Sequence, residues 1–241
     1  MTVLTTDLVY YKSSNGVSTG GTISATAITD AALNNVFDDV SAAEALAGAT
    51  EYRKIFFKNN HGSDSLISPV LWRSVDTLSP DDEISIGIGT ADDDDGSSEL
   101  AAMTANSKVT LVSDGSDTRS VNITGEDNSG TRISETIVLT GTTPVDSTNN
   151  YSKLYRVNPT ASGTRILTIK QKSTGATLGT VGLNKLSAIL YQNVTTKETG
   201  IKLLTITPGN SGAVWLKRTV TANADGYELN SGTIKIEGET A

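Results

Sequence analysis

Thr207-Pro-Gly-Asn-Ser-Gly-Ala-Val-Trp-Leu-Lys-Arg-Thr-Val220 is the stretch on which the fold of this chain turns. Pro208-Gly209 reads as a turn, because proline presets one corner and glycine accepts the positive φ that the next can demand. Val214, Trp215, Leu216 and Val220 then mark a strand that also carries two adjacent cations, Lys217 and Arg218. A further strand is expected over residues 231–237 after the Gly226 turn, with Ile234 and Ile236 alternating with Thr233, Lys235 and Glu237.

Working outward, the rest of the chain repeats this texture. Residues 7–13 (DLVYYKS) read as an aromatic strand ending at Asn15-Gly16, a dipeptide suited to a primed hairpin turn. Glu83-Ile-Ser-Ile-Gly-Ile-Gly89 places Ile84, Ile86 and Ile88 on one face. Val121 and Ile123 alternate with Ser120, Asn122 and Thr124. Asp114-Gly115, Ser129-Gly130, Thr174-Gly175, Asn210-Ser-Gly212 and Asp225-Gly226 break the runs. Short alternating strands with regular punctuation predict an all-β sandwich or barrel. Two short helices are expected as connectors. One is a turn or two over residues 30–37; the other follows the Ser41/Glu44 capping box and stops at Gly48.

Composition narrows the function classes. The chain has 241 residues, enough for one large or two small domains, and 37% of them are hydrophobic, enough for real cores. A net charge of −8 argues against a broad nucleic-acid footprint. With no cysteine, disulfides, thiolate metal sites and cysteine nucleophiles are all excluded. No cationic segment leads into an apolar run at the N-terminus and no window reaches membrane-spanning length, so the chain is expected to be soluble and unprocessed.

The texture changes near residue 105. Both tryptophans and all phenylalanines lie in 1–105 and 194–241, whereas 106–193 is rich in Thr, Ser and Gly. The expected organisation is therefore an insertion: a small β-sandwich domain at 106–193 interrupting a discontinuous sandwich built from 1–105 and 194–241.

Three segments of the terminal part, Glu51-Tyr-Arg-Lys-Ile-Phe-Phe-Lys-Asn59, Ser79-Pro-Asp-Asp-Glu-Ile-Ser-Ile-Gly87 and the stretch at 207–220, together resemble a β-sandwich module of tailed-bacteriophage structural proteins. The inner run from Val121 to Val145 resembles a motif of phage virion proteins, V-x-V/I-x-G-x-D-x-x-G followed by E-T-I-x-L-x-G-T-T. Glu126-Asp127, Gly130, Glu135-Thr-Ile137 and Gly141-Thr-Thr143 match it. The resemblance implies two immunoglobulin-like sandwich domains, the second inserted in the first. It also implies a copy-rich, non-enzymatic virion component without cofactor or metal. A capsid decoration protein is the first expectation; a tail, neck or baseplate protein, or a carbohydrate- or receptor-binding module, is the alternative. Expected partners are other virion proteins, major capsid or tail, and further copies of the chain, with no nucleic acid and no membrane.

Candidate chemistry is thin. The acidic run Asp92-Asp-Asp-Asp95-Gly96 lacks the alternate ligand spacing and distal glutamate of a calcium loop, and reads as a solvated loop tip rather than a weak cation site. His61, the single histidine, lies in the turn Asn59-Asn-His-Gly62, with no Gly-x-Ser-x-Gly elbow in the chain to serve. Aromatics make up 5%, few for the sugar platforms of a glycosidase. Gly87-Ile-Gly89 lacks the third glycine and following helix of a dinucleotide site, and reads as a bulge or a close backbone approach. Trp72 and Trp215 read as core residues. Trp215, Lys217 and Arg218 are also placed near an expected contact with neighbouring subunits, the cations meeting carboxylates there. In that arrangement the terminal sandwich faces the assembly and the inserted domain projects outward.

Overall fold

A computed structural model describes residues 2–14, 19–76, 79–226 and 231–241; Asn15-Gly16 lies outside the described residues. The chain is all-β and forms two compact units, Met1–Ala91 with Gln192–Ala241, and Asp92–Tyr191. In chain order the first unit contributes β1 (Leu8–Ser13), β2 (Ile23–Ala27), helix α1 (Ala42–Ala47), β3 (Ala49–Asn59), β4 (Leu66–Asp76) and β5 (Asp82–Ile88). The inner unit holds β6 (Val109–Ser113), β7 (Ser120–Glu126), β8 (Arg132–Val138), β9 (Val145–Asp146), β10 (Lys153–Pro159), β11 (Leu167–Gln171), β12 (Thr177–Val181) and β13 (Ala188–Ile189). The chain then returns through β14 (Ile201–Lys202), β15 (Ser211–Val220) and β16 (Gly232–Thr240).

In the terminal unit the strands order as β2-β1-β3-β15-β5 in one antiparallel sheet and β14-β4-β16 in a second. The turn at 207–210 starts β15: Gly209 takes φ +75° and Asn210 N donates to Thr207 O at 3.1 Å. β15 and β3 are central, and register sorts their side chains. Val214 stands opposite Ile55 and Ile88, and Leu216 opposite Ile86; Trp215 stands opposite Lys54 and Gly87. Both faces are therefore buried in the middle of the sheet. Tyr10 of β1 donates its hydroxyl to Ile234 O of β16 at 3.4 Å, and Arg73 Nη1 of β4 donates to Ile84 O of β5 at 2.7 Å. These bonds tie the two sheets of the unit together. Each fully buried Ile, Leu, Val or Phe between them contributes about 1.5–3 kcal/mol.

Helix α1 forms at the expected capping box: Ser41 N donates to Glu44 Oε2 at 2.8 Å, Glu44 N donates back to Ser41 Oγ at 3.3 Å, and Gly48 at φ +78° stops it. The segment 30–37 is a series of turns instead of a helix. Ala31 and Asn34 take φ of +58° and +53°, a conformation that a right-handed helix does not admit.

The inner unit is two four-stranded antiparallel sheets, β13-β10-β7-β8 and β12-β11-β6-β9. One continuous core lies between them, with Val109 and Leu111 from β6, Val121 and Ile123 from β7, Val157 from β10, and Leu167 and Ile169 from β11 all at 0% exposure. The unit begins upstream of the composition change near 105. Leu100 N donates to Ile189 O and Ala101 N to Leu178 O, and Leu100 joins the core, so 92–105 belongs with the inner strands. Backbone pairing outweighs side-chain texture in setting this boundary.

The loop entering β7 is locked by a fork. Arg119 Nε donates to Asp117 Oδ1 at 3.0 Å, Nη2 to Oδ2 at 2.7 Å, and Nη1 reaches Ala161 O at 2.9 Å. Bonding to Arg119 holds the Asp117 carboxyl below the usual carboxylate range. A depressed folded pKa contributes stability above the unfolded value near 4 and loses it as pH falls through the folded value. Asp117→Asn is thus expected to cost about 1.5–3 kcal/mol at neutral pH. The gap to the parent chain should narrow below about pH 4. Urea melts from pH 7 downward would read this; a gap independent of pH would show that the fork carries no charge-dependent stability.

Candidate functional site

The three residues expected near a subunit contact, Trp215, Lys217 and Arg218, all sit in β15, and the structure places two of them inside. Trp215 is 0% exposed, packed beside Gly89, where an added Cβ would lie 3.0 Å from the indole Cδ1. Gly89 thus makes room for a side chain rather than for a backbone. Lys54, also 0% exposed, holds its ammonium 5.8 Å from the Trp215 ring centroid and donates to Gly21 O and Ala91 O. Arg218 is 6% exposed and finds its carboxylate within its own chain. Its Nε donates to Glu51 Oε2 at 2.7 Å and its Nη2 closes the ion pair, while Nη1 donates to Asp38 O at 2.8 Å. Arg53 pairs with Glu51 and Asp38, and both guanidiniums stack on the Phe37 ring, at 5.4 Å for Arg53 and 4.9 Å for Arg218. Trp215 and Arg218 are thereby corrected from contact residues to internal ones. Lys217 alone of the three is half-exposed.

The acidic run is likewise less exposed than a loop tip. Asp93 is 1% exposed, and its charge acts on Arg156 of β10. Asp95 pairs with Lys185 and accepts from Ser97 N at 2.7 Å. Burial raises the Asp95 pKa, but the bonds from Lys185 and Ser97 outweigh it and hold the carboxyl low. Asp92 and Asp94 are the exposed members. Among the described residues no three His, Asp or Glu side chains group so as to hold a metal ion, and no helix is long and apolar enough to cross a membrane. His61 organises its turn: Nδ1 accepts from Asp64 N at 2.9 Å and from Ser63 N at 3.2 Å.

Titratable groups do cluster in the inner unit. Glu126 of β7, 7% exposed, accepts from the Tyr155 hydroxyl of β10, and the Tyr155 ring carries Arg132 at 5.7 Å and Lys153 at 5.6 Å. Burial, with Arg156 close by, pushes the Arg132 pKa down to about 10. This is a cation–aromatic clamp across three strands.

A cleft of about 330 Å³ opens where three loops of the inner unit converge. The first brings Asn106, placed by the Ser107–Tyr151 pair, whose backbones exchange bonds at 3.0 and 2.8 Å. The β7–β8 hairpin brings Asp127, Asn128 and Ser129. Asp127 Oδ1 accepts from Ser129 N and Thr131 N, both at 2.9 Å, while Gly130 turns the chain at φ +75°. The third loop brings Asn149 and Asn150. Glu135 holds it, accepting from Thr148 N at 2.7 Å, Asn149 N at 3.2 Å and the Tyr151 hydroxyl at 2.9 Å. Ile133, packed on the core, forms the floor. Sequence reading passed these asparagines over, because Asn128-Ser-Gly130 and Asn149-Asn150 look like turn punctuation. Their signal was recurrence in breakers, one inside the run from Val121 to Val145 and one just after it. Comparison with family models, curated proteins and solved structures finds no match for this chain.

Proposed function

We propose that this chain is a non-enzymatic structural component of a tailed-bacteriophage virion, in the first place a capsid decoration protein. The observation that supports this reading is the use made of the matched motif's polar residues. Asp127 and Gly130 shape the β7–β8 hairpin, Glu135 holds the loop before β10, and Gly141 turns the chain at φ +73°. These groups build loops and leave no nucleophile–base pair among them. The inner unit's two four-stranded antiparallel sheets around one core are the coarse architecture that a β-sandwich reading requires. Partners in this reading are capsid or tail proteins and other copies of the chain. With Trp215 and Arg218 internal, the contact surface uses other residues of the terminal unit.

Quantitative mass spectrometry of purified particles tests the proposal. A copy number comparable to that of the major capsid protein is expected. A few copies per particle would move the assignment to tail, neck or baseplate, and absence from particles would overturn it.

A further inference from the structure

We propose that the cleft between the three inner-unit loops is a binding site for a small neutral saccharide. The chemistry of its walls selects the ligand class. Among the described residues no cation lines it, so an inorganic or phosphate anion has no counter-charge there. Asp127 is the single carboxylate among the lining residues and already accepts from two backbone N–H groups, a poor start for a divalent cation that wants six or more oxygens. Ile133 is the single apolar lining residue, too little for an apolar ligand. What remains is amide. The side chains of Asn106, Asn128 and Asn150 are exposed, and they make no hydrogen bond among the described residues.

Each amide offers two donors and an acceptor, and a sugar hydroxyl is itself donor and acceptor, so several can be matched at once without a net charge. The aliphatic Ile133 floor suits the less polar face of a pyranose ring. A volume near 330 Å³ lies at the small end of ligand pockets and fits a mono- or disaccharide.

The walls are also held in place before any ligand arrives. Asp127 fixes the hairpin tip, Glu135 fixes the 148–149 backbone, and Ser152 N donates to Glu126 O at 2.8 Å to tie the third loop to the second. The first loop is anchored by the buried Gln171, whose Oε1 accepts from Thr104 N at 3.0 Å. Preorganised loops reduce the ordering cost of binding. The motif residues therefore act as positioning residues, and the asparagines make the contacts.

The test uses the full-length, nitrogen-15-labelled protein and follows side-chain amide resonances. It is titrated with maltose, lactose, N-acetylglucosamine and N-acetylgalactosamine, each to about 50 mM, well above the millimolar dissociation constant expected of so small a contact. Calcium chloride and sodium sulfate are titrated separately. Saturable shifts of the Asn106, Asn128 and Asn150 amides with at least one sugar are expected. The double variant Asn128→Ala/Asn150→Ala should weaken that sugar by about tenfold or more with an unchanged melting temperature, since neither side chain supports the fold. Shifts with calcium or sulfate but with no sugar would overturn the proposal, as would no shift with any probe. Sugar affinity unchanged in the double variant would overturn it as well. Copy number on the particle is independent of all these outcomes, so the virion reading stands or falls separately.

Discussion

Glu51→Ala is expected to destabilise the terminal unit by about 3–5 kcal/mol, the range for removing one partner of a buried ion pair. Glu51 serves two cations at once: Oε1 accepts from Arg53 Nη2 at 2.9 Å, and Oε2 takes Nε and Nη2 of Arg218. The side chains are 16%, 13% and 8% exposed for Glu51, Arg53 and Arg218, so water offers little compensation once the carboxylate is gone. Phe37 lies against both guanidiniums, and neither can swing into solvent without losing that stack. Asp38 still faces Arg53, but its side chain is 74% exposed and its attraction is screened. The double variant Glu51→Leu/Arg218→Met should be less destabilised than Glu51→Ala, because it removes a stranded charge together with the anion. Urea melts followed by tryptophan fluorescence report on the right unit, since Trp72 and Trp215 both lie in it. A loss below about 1 kcal/mol, typical of an exposed pair, would mean that the cluster is solvated.

The all-β class was legible in the sequence because alternation and turn chemistry are local. Pro208-Gly209 and the Ser41/Glu44 box each act within a few residues and formed where the pattern put them. Partners across the chain were not legible. Arg218 and Glu51 meet because β15 aligns on β3 in one register, and nothing within either strand announces the other. Reading Arg218 as an interface cation followed from its adjacency to Lys217; the alternation of the strand sends one inward and leaves the other half-exposed. Residues 92–105 were grouped by composition, whereas Leu100 belongs where its backbone finds Ile189. Asp93 misled for the same reason, since a run of four carboxylates looks solvated until a loop path places one of them under cover. The cleft fails in a different way. Its asparagines are ordinary turn formers one at a time, and only the convergence of three loops makes them a site.

Gly125→Val joins the motif to that convergence and is expected to cost about 3 kcal/mol or more, at the top of the range for overpacking. An added Cβ at Gly125 would sit 2.2 Å from Lys153 O and 2.7 Å from Tyr151 Cδ1. The first of these is backbone, so no rotamer change relieves it. Gly125 pairs with Leu154 where the β7–β10 register shifts, and the close approach exists because the chain bulges there. Separating the strands would disturb Ser152, which bonds Glu126 O, and with it the loop that carries Asn149 and Asn150. Stability and the amide environment of the cleft should therefore change together. Gly62→Ala, at a position with nothing within 4 Å, is the matched control and should stay within about 0.5 kcal/mol. If Gly125→Val instead melted with the parent chain and left the Asn150 amide resonance in place, the approach of β10 to β7 would be loose. The cleft would then have no rigid wall on that side.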